Sequence, residues 1–325
     1  MSGPPPWDPD LPIWVAGHTG LAGSAVVRAL RARGHRRILL RTRADLDLLD
    51  QAAVERFVAA ERPWGVVLAA AQVGGILANA TEGYDFLLRN LRISGNVIDA
   101  CLRARVPRLV NLGSSCIYPR DCPQPMREQH LLTGPLEPTN EPYALAKIAA
   151  VKLIEQANRQ HGMAWLSLMP TNLYGPNDTY HPTRSHVLPA LIRRFLEAVE
   201  AGHAPVVLWG SGTPMREFLH ADDLAQAILL ALGGIEPAMV PGALLNVGSG
   251  EEVRIRDLAE LVRSATGHRG EVAWDPARPD GAPRKLLDSA RIRGFGWSPA
   301  IGLAAGLAAT VAAYRAELAA GTCRT

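Results

Sequence analysis

Three glycines that follow a short apolar run near the start of the chain constrain its fold more than any other feature. The run LPIWVAG ends at Gly17, and Gly17, Gly20 and Gly23 lead into HTGLAGSAVVRALRARG, whose apolar residues recur at helical spacing until Gly34. In such a strand–turn–helix unit, glycines let the backbone approach a pyrophosphate, which lies on the amides of the helix N-terminus. The pattern predicts a dinucleotide site; a purely structural turn is the alternative.

Strand-like and helix-like segments alternate along the first half of the chain. RRILLR, WGVVLAAA, RLVNLGSS and AWLSLMP have the apolar character of buried strands, and the stretches 50–61, 84–105 and 141–161 between them have helical periodicity. This alternation is typical of a doubly wound parallel sheet. We therefore expect an α/β protein with a Rossmann-like sheet and a smaller, interleaved α/β lobe toward the C-terminus that binds substrate.

The pattern changes after Pro170, and this change sets the expected domain boundary. TNLYGPNDTYHPTRSH is polar and irregular, and such loops in compact domains are usually functional. We expect a nucleotide-binding domain over 11–176, with returning segments near 214–250, and a mainly substrate-binding lobe over 177–325. Residues 1–10, within a Pro-rich leader, are expected to form a flexible tail.

Composition argues against several classes of function. The 325 residues carry a net charge of +3 and the basic residues are scattered, so no nucleic-acid partner is expected. No signal-peptide pattern and no run of roughly 18 apolar residues is present, so we expect a cytoplasmic protein with no membrane partner. The four cysteines form no CxxC pair and have no His-rich surroundings, so neither a metal site nor a disulfide framework is expected.

The end of the second strand, LLRTRADLDL, bears on the choice of cofactor. NAD sites commonly place an acid about 20 residues after the glycine turn, whereas an arginine there accommodates the 2′-phosphate of NADP. Arg41 and Arg43 precede any acid in this stretch, so the sequence favours NADP(H). The alternative is that an arginine only solvates the strand end and Asp45 or Asp47 reaches the ribose.

A tyrosine and a lysine follow the fourth strand at helical spacing. In EPTNEPYALAKIAA, Tyr143 and Lys147 stand at positions i and i+4, on one helix face. A phenol beside an ammonium is expected to have a lowered pKa and to exchange protons with a carbonyl oxygen. Ser114 or Ser115, at the carboxyl end of the fourth strand, can hold the same oxygen. These residues predict a catalytic Ser-Tyr-Lys set.

The motifs together resemble those of a known family. The chain resembles the extended short-chain dehydrogenase/reductases and, within them, the GDP-L-fucose synthase family. The matching stretches are AGHTGLAGSA, RTRADLDLLD, LAAAQVGGILAN, LGSSCIYP, EPTNEPYALAKIA, MPTNLYGPND, SHVLPALIRRF, WGSGTPMREFLH and PDGAPRKLLD. They extend from about Ile13 to the final helix.

The resemblance implies an enzyme that epimerises GDP-4-keto-6-deoxy-D-mannose at C3 and C5 and reduces it at C4 with NADPH, giving GDP-L-fucose. The C4 ketone acidifies the hydrogens at C3 and C5, and the Ser-Tyr-Lys set does not supply the acid/base pair that moves them. The family's pair matches Cys116 and His186, whose thiol and imidazole titrate near neutrality. The alternatives are a buried apolar cysteine and a histidine that packs or caps at a helix entry.

The resemblance also implies binding residues. For NADP(H) they are Gly17, Gly20, Leu21, Gly23, Arg43, Asp47, Leu112, Ser115, Lys147, Pro170, Asn172, Leu173 and His186. For the phosphates and base of a GDP-sugar they are Arg194, Trp209, Arg216, Asp280 and Lys285. Arg194 on a solvated helix face and Trp209 in the core are the alternatives. Thr19 replaces an arginine that is common in the family's glycine turn, which predicts weaker discrimination of NADPH from NADH.

Two other functions are compatible with these motifs. A related nucleotide-sugar 4-keto reductase or epimerase acting on another deoxysugar would share them. A non-catalytic NADP-binding regulator is the second alternative, because a fold does not fix a function. The family commonly pairs through two long helices, here 84–105 and 141–161, so a homodimer is expected.

Overall fold

A parallel sheet forms the centre of the larger of two lobes in the computed structural model, which describes residues 8–278, 280 and 282–324. The strands are β1 (Ile13–Ala16), β2 (Ile38–Leu39), β3 (Gly65–Leu68), β4 (Arg108–Leu112), β5 (Ala164–Pro170), β6 (Asn172–Tyr174), β7 (Val206–Trp209), β8 (Met215–His220), β9 (Leu244–Val247), β10 (Glu252–Arg254), β11 (Val272–Asp275) and β12 (Arg284–Lys285). The helices are α1 (Leu21–Ala32), α2 (Gln51–Glu61), α3 (Ile76–Thr81), α4 (Gly83–Arg103), α5 (Glu141–His161), α6 (Val187–Glu200), α7 (Ala221–Gly233), α8 (Ile255–Thr266), α9 (Ala290–Gly294) and α10 (Leu303–Ala319).

The central sheet has six strands in the order β2-β1-β3-β4-β5-β9, and every neighbouring pair is parallel. From β1 the chain first adds β2 on one side and then β3 on the other. This reversal creates a crevice at the carboxyl ends of β1 and β3, where ligands bind in sheets of this kind. The prediction of a Rossmann-like α/β fold is confirmed.

The apolar strands explain why this sheet lies in the core. The residues of β1, β3 and β9 are all buried, as parallel strands covered by helices on both faces require. Helix α1 packs against α7, and α4 packs against α5. Because α7 and β9 come late in the chain and yet join this lobe, segments from both halves of the chain contribute to it.

The smaller lobe holds a separate core and a second sheet. Its four strands are β10, β8, β12 and β6, and β7 pairs with β11 in a further parallel pair. Helices α6, α8 and α10 cover a cluster in which the rings of Tyr180 and Tyr314 stack with centroids 3.8 Å apart. This packing holds the loop after β6 against α10, close to the first lobe.

The prediction from the sequence was wrong in some details. The expected strand at RRILLR contains only the two residues of β2, and the stretch after Pro170 is not irregular throughout, because β6 pairs with β8. Of the expected tail over 1–10, residues 1–7 lie outside the described part of the chain; Pro9 accepts a hydrogen bond from the backbone of Arg36, at 2.8 Å. Within the described residues, every helix is too short or too polar to cross a membrane.

Candidate active site

A cavity of about 840 Å³ opens at the carboxyl ends of the central strands. Its volume lies within the roughly 300–1,000 Å³ range of small-molecule and cofactor sites. The cavity walls include every residue that the sequence assigned to the cofactor. Of the expected catalytic residues, Ser114, Tyr143, Lys147 and His186 also line it, and Cys116 lies beside it.

The glycine turn is shaped for close backbone approach. Gly17 has a φ of +88°, and a Cβ there would lie 2.6 Å from the backbone nitrogen of Ala70. A Cβ on Gly23 would collide with the carbonyl oxygen of Gly17. Gly20 is the N-cap residue of α1 and makes no side-chain capping hydrogen bond, so the N-terminal amides of the helix are open to an anion. This cradle fits the pyrophosphate of a dinucleotide.

The two arginines after β2 differ in their surroundings. Arg41 donates to Glu61 at 2.7 Å and lies over the ring of Phe57, with 5.1 Å between the guanidinium carbon and the centroid. Arg43 is exposed and forms an ion pair of 3.5 Å with Asp47. Arg43 is therefore the arginine that can reorient toward a 2′-phosphate.

The first two turns of α5 present Tyr143 and Lys147. Pro142 lies in the first turn, where its missing N–H costs no helical hydrogen bond, and the helix ends at Gly162, which has a φ of +63°. The Lys147 ammonium donates to the carbonyl oxygen of Leu112 at 2.8 Å and lies 5.7 Å from the centroid of the Tyr143 ring. The lysine is therefore anchored to the end of β4 while it faces the phenol.

The expected lowering of the tyrosine pKa does not occur. Burial raises the pKa of the Tyr143 phenol, and the nearby Cys116 thiol adds to the rise. Burial also lowers the pKa of Lys147 to about 8. Desolvation outweighs the attraction between cation and phenolate here, so without a ligand the tyrosine is a neutral O–H donor.

Cys116 lies in a short 3₁₀ turn directly after β4. Its backbone N–H donates to the Ser114 hydroxyl at 3.4 Å, and its side chain is partly exposed. Desolvation raises the pKa of the thiol, while Ser114, Lys285 and Lys147 oppose the rise. The cysteine is thus close to both the Tyr-Lys pair and Lys285 of the smaller lobe, and it is not simply a buried apolar side chain.

His186 precedes α6 at the mouth of the cavity. It occupies the N-cap position, yet its side chain makes no capping hydrogen bond. The imidazole is exposed to the cavity, but the surrounding protein walls still desolvate it and lower its pKa. The imidazole therefore does not cap α6, and it faces the same cavity as Tyr143 and Lys147.

The expected nucleotide residues divide into two groups in the smaller lobe, outside the cavity walls. In the first group, the Arg194 guanidinium carbon lies 5.7 Å from the centroid of the Trp209 ring. Trp209 is 61% exposed, which excludes a core position for the indole. Sequence reasoning missed Arg278, whose guanidinium carbon lies 5.0 Å from the same ring. An exposed aromatic face with cations beside it suits a flat base.

The second group lies on neighbouring strands. Lys285 of β12 is in register with Arg216 of β8, and burial lowers the pKa of both. Within the described residues, neither cation has a carboxylate partner within 4 Å. Asp280 instead accepts hydrogen bonds from the backbone and hydroxyl of Ser211, at 3.0 and 2.6 Å. Asp280 acts on Arg216 and Glu137 acts on Lys285 only at longer range, so the two desolvated cations are suited to bind an anion.

Sequence reasoning also missed part of the cavity wall. Asp178, Thr179, His181 and Arg184 belong to the polar loop, which was expected to be functional although these residues were not singled out. Arg324 lines the same cavity, and no signal in the sequence indicated it. Burial raises the pKa of the Asp178 carboxyl to about 7.

Comparisons with known proteins agree with this geometry. The model of a family described as the NAD dependent epimerase/dehydratase family matches residues 13–248. Probable GDP-L-fucose synthase 1 of Oryza sativa subsp. japonica is 53% identical over 306 residues, which cover 93% of this chain and 91% of that protein. GDP-L-fucose synthase of Escherichia coli (strain K12) is 51% identical, with 92% and 94% covered. The crystal structure of a GDP-L-fucose synthetase from Naegleria fowleri bound to NADP superposes with a TM-score of 0.89 at 26% identity, covering 100% of this chain and 99% of that chain.

Proposed function

The chain belongs to the NAD-dependent epimerase/dehydratase family, and from this premise we propose that it catalyses the NADPH-dependent conversion of GDP-4-keto-6-deoxy-D-mannose to GDP-L-fucose. The observation that carries the proposal is the position of Cys116, close to the Tyr143–Lys147 pair on one side and to Lys285 on the other. A simple reductase needs no acid/base group there. Similarity over nearly the whole chain to relatives with this activity supports the same conclusion.

The cofactor is NADP(H), and the larger lobe holds it. Gly17, Gly20 and Gly23 would receive the pyrophosphate on the first turn of α1, and Arg43 would meet the 2′-phosphate. When bound, NADPH supplies the hydride that reduces C4. Asn172 donates to the carbonyl oxygen of Glu217 at 2.9 Å, so it is held in place at the cavity wall.

Epimerisation is the role of Cys116 and His186. The C4 ketone makes the C–H bonds at C3 and C5 acidic, because the electron pair left by each proton is delocalised onto the ketone oxygen. At each carbon, one of the two side chains removes the proton from one face, and the other returns a proton to the opposite face. The configuration inverts with no net oxidation or reduction.

Reduction is the role of Ser114, Tyr143 and Lys147. Because its pKa is raised, Tyr143 is a neutral phenol that can donate its proton to the C4 oxygen as that oxygen gains charge. Lys147, anchored on Leu112, stabilises the phenolate left behind. Ser114 donates its hydroxyl hydrogen to the same C4 oxygen and orients the ketone.

The smaller lobe holds the GDP part of the substrate. Arg216 and Lys285 bind the pyrophosphate, since both are partly desolvated and lack a carboxylate partner among the described residues. Trp209 stacks on the base, with Arg194 beside it. This arrangement would place the sugar next to Cys116, because Lys285 interacts with both Arg216 and the thiol.

We also propose a homodimer that pairs through α4 and α5. These two helices pack side by side, and they expose large apolar side chains. The exposed residues are Tyr84, Leu91, Leu145 and Leu153. A second copy of the same two helices would cover them in a four-helix interface. The four free cysteines and the scattered charge support a reducing cytoplasmic setting without nucleic acid.

The test uses the purified protein with GDP-4-keto-6-deoxy-D-mannose and NADPH. We expect oxidation of NADPH and a product with the L-fuco configuration by NMR. A product that keeps the D-manno configuration at C3 and C5 would show that the protein reduces the C4 ketone without epimerisation. No oxidation with this sugar would contradict the proposed substrate, and binding of NADPH without turnover of any keto-sugar would indicate a regulator.

A further inference from the structure

The segment after α10 returns to the cavity and places an arginine in its wall. The carbonyl oxygen of Arg324 accepts a hydrogen bond from the backbone of Tyr180 at 2.8 Å, and Arg324 forms a parallel bridge with Thr179. Its guanidinium donates to the carbonyl oxygen of Asn177 at 3.0 Å. Both the backbone and the side chain of Arg324 are therefore held on the polar loop, facing the space that would receive the dinucleotide.

Asn177 connects this arginine to the glycine turn. The Asn177 side-chain amide donates to the carbonyl oxygen of Thr19 at 2.7 Å, and its backbone N–H donates to Glu317 at 2.7 Å. Arg324 and Thr19 thus bind the same residue from two sides. Thr19 directly precedes Gly20, the N-cap residue of α1. Asn177 therefore connects the guanidinium to the end of α1 that is shaped for a pyrophosphate.

Arg324 differs from the other arginines of the cavity wall in its charge environment. The other four each have a carboxylate within 4 Å: Arg41 with Glu61, Arg43 with Asp47, Arg89 with Asp85 and Arg184 with Glu82. Arg324 has no such pair among the described residues, and its side chain bonds only to a neutral carbonyl. The nearby acid Asp178 acts on it at longer range. An arginine held in a cavity without a counter-ion is suited to bind an anion.

We propose that Arg324 binds the pyrophosphate of the dinucleotide, on the side opposite the N-terminus of α1. The proposal rests on the proposed NADP(H) cofactor but not on the identity of the sugar. The two phosphates would then lie between the N-terminal amides of α1 in the larger lobe and the guanidinium of Arg324 from the smaller lobe. The bound cofactor would thus contact both lobes. Because residue 19 is a threonine, it carries no positive charge that would compete with Arg324 for the pyrophosphate.

The experiment measures dissociation constants for NADPH and for NADH by fluorescence of the reduced nicotinamide. Arg324→Ala removes the cation, and Arg324→Gln removes the charge while keeping a donor for the Asn177 carbonyl. Arg315→Ala is the matched control, because Arg315 lies on α10 and donates to Thr266, away from the cavity. We expect both Arg324 variants to weaken the binding of NADPH and of NADH by the same factor, on the order of 10-fold or more, because a charge-assisted bond is lost. Arg315→Ala should bind both cofactors as the unmodified protein does.

Three results would overturn the proposal. Unchanged constants in Arg324→Gln would remove Arg324 from the cofactor site. A loss confined to NADPH would assign Arg324 to the 2′-phosphate, since NADH has the same pyrophosphate but lacks the 2′-phosphate. A loss of GDP binding in titration calorimetry, with unchanged NADPH binding, would assign it to the substrate. Because the readout is cofactor binding, a wrong sugar substrate in the proposed function leaves each of these results interpretable.

Discussion

Lys285 stands in register with Arg216 on two neighbouring parallel strands, so two partly buried cations lie side by side in the smaller lobe. Burial lowers the pKa of each, and Arg216 lowers the pKa of Lys285 further. Such an arrangement costs stability unless an anion neutralises it. We infer that this cost is offset when the diphosphate of the substrate binds.

The first prediction concerns this pair. Arg216→Met and Lys285→Met should each weaken the binding of GDP by about 10-fold or more, because a charge-assisted contact to phosphate is lost. Titration calorimetry with GDP measures the effect. NADPH binding should be unchanged in both variants, since the pair lies outside the cavity wall. Equal GDP affinity in all three proteins would refute the assignment.

The second prediction separates reduction from epimerisation. Tyr143→Phe removes the proton donor to the C4 oxygen, so NADPH oxidation should fall by roughly 10²–10⁴-fold. Exchange of the C3 and C5 hydrogens with solvent should continue, because Cys116 and His186 are intact. Leu318→Ala, at an exposed site on α10, is the control. If exchange stopped along with oxidation in Tyr143→Phe, the division of roles would be wrong.

The third prediction is a pH dependence of folding caused by Lys147. Its pKa in the folded state is about 8, below the ordinary value of 10.5 that applies to the unfolded chain. Between these values the unfolded state binds more protons than the folded state, so the free energy of unfolding gains a contribution that rises with pH. Below about pH 8 both states are protonated, and the destabilising cost of the buried ammonium is fully present.

Chemical denaturation of the ligand-free protein at pH 7.5 and pH 10 measures this contribution. At pH 7.5, Lys147→Met should have a higher free energy of unfolding than the unmodified protein. Its free energy of unfolding should also lack the rise with pH that Lys147 causes. The same pH dependence in both proteins would show that Lys147 keeps its ordinary pKa in the fold.

The fourth prediction concerns cofactor preference. With threonine at position 19, Arg43 is the main charged contact expected for the 2′-phosphate, so Arg43→Ala should raise the KM for NADPH and leave that for NADH nearly unchanged. Thr19→Arg adds a cation at the turn and should widen the preference for NADPH. Steady-state kinetics with both cofactors tests this. An unmodified protein that already discriminates as strongly as Thr19→Arg would contradict the account.

The fifth prediction concerns the dimer. Leu153 is 45% exposed on α5 although it is a large apolar residue, as expected for a side chain that a second copy covers. Leu153→Glu should give a monomer in analytical ultracentrifugation, whereas Leu318→Glu, at an exposed site on α10, should not. A monomeric unmodified protein at micromolar concentration would exclude this interface.

Much of the fold could be predicted because its signals are local. The glycine turn, the buried strands and the full span of α5 follow from spacing and from end signals such as Pro142 and Gly162. The residues expected to bind the cofactor come together because parallel strands end at one edge of the sheet. Their individual roles stay predictions until they are tested.

Other features depend on tertiary packing and left no local signal. Arg324 reaches the cavity only because α10 packs in the smaller lobe and directs the following residues onto the polar loop. The raised pKa of Tyr143 depends on how deeply the fold buries the phenol, which helical spacing does not specify. Arg278 approaches Trp209 from a loop whose path is set by the pairing of β7 with β11.

The central claim is that Cys116 takes part in epimerisation before C4 is reduced. It is tested most directly in deuterated buffer, with GDP-4-keto-6-deoxy-D-mannose and without NADPH, by following deuterium at C3 and C5 by NMR. We predict incorporation at both carbons in the unmodified protein and a strong loss of incorporation in Cys116→Ser, with NADPH affinity unchanged. Equal incorporation in the two proteins would remove Cys116 from the mechanism and contradict the account.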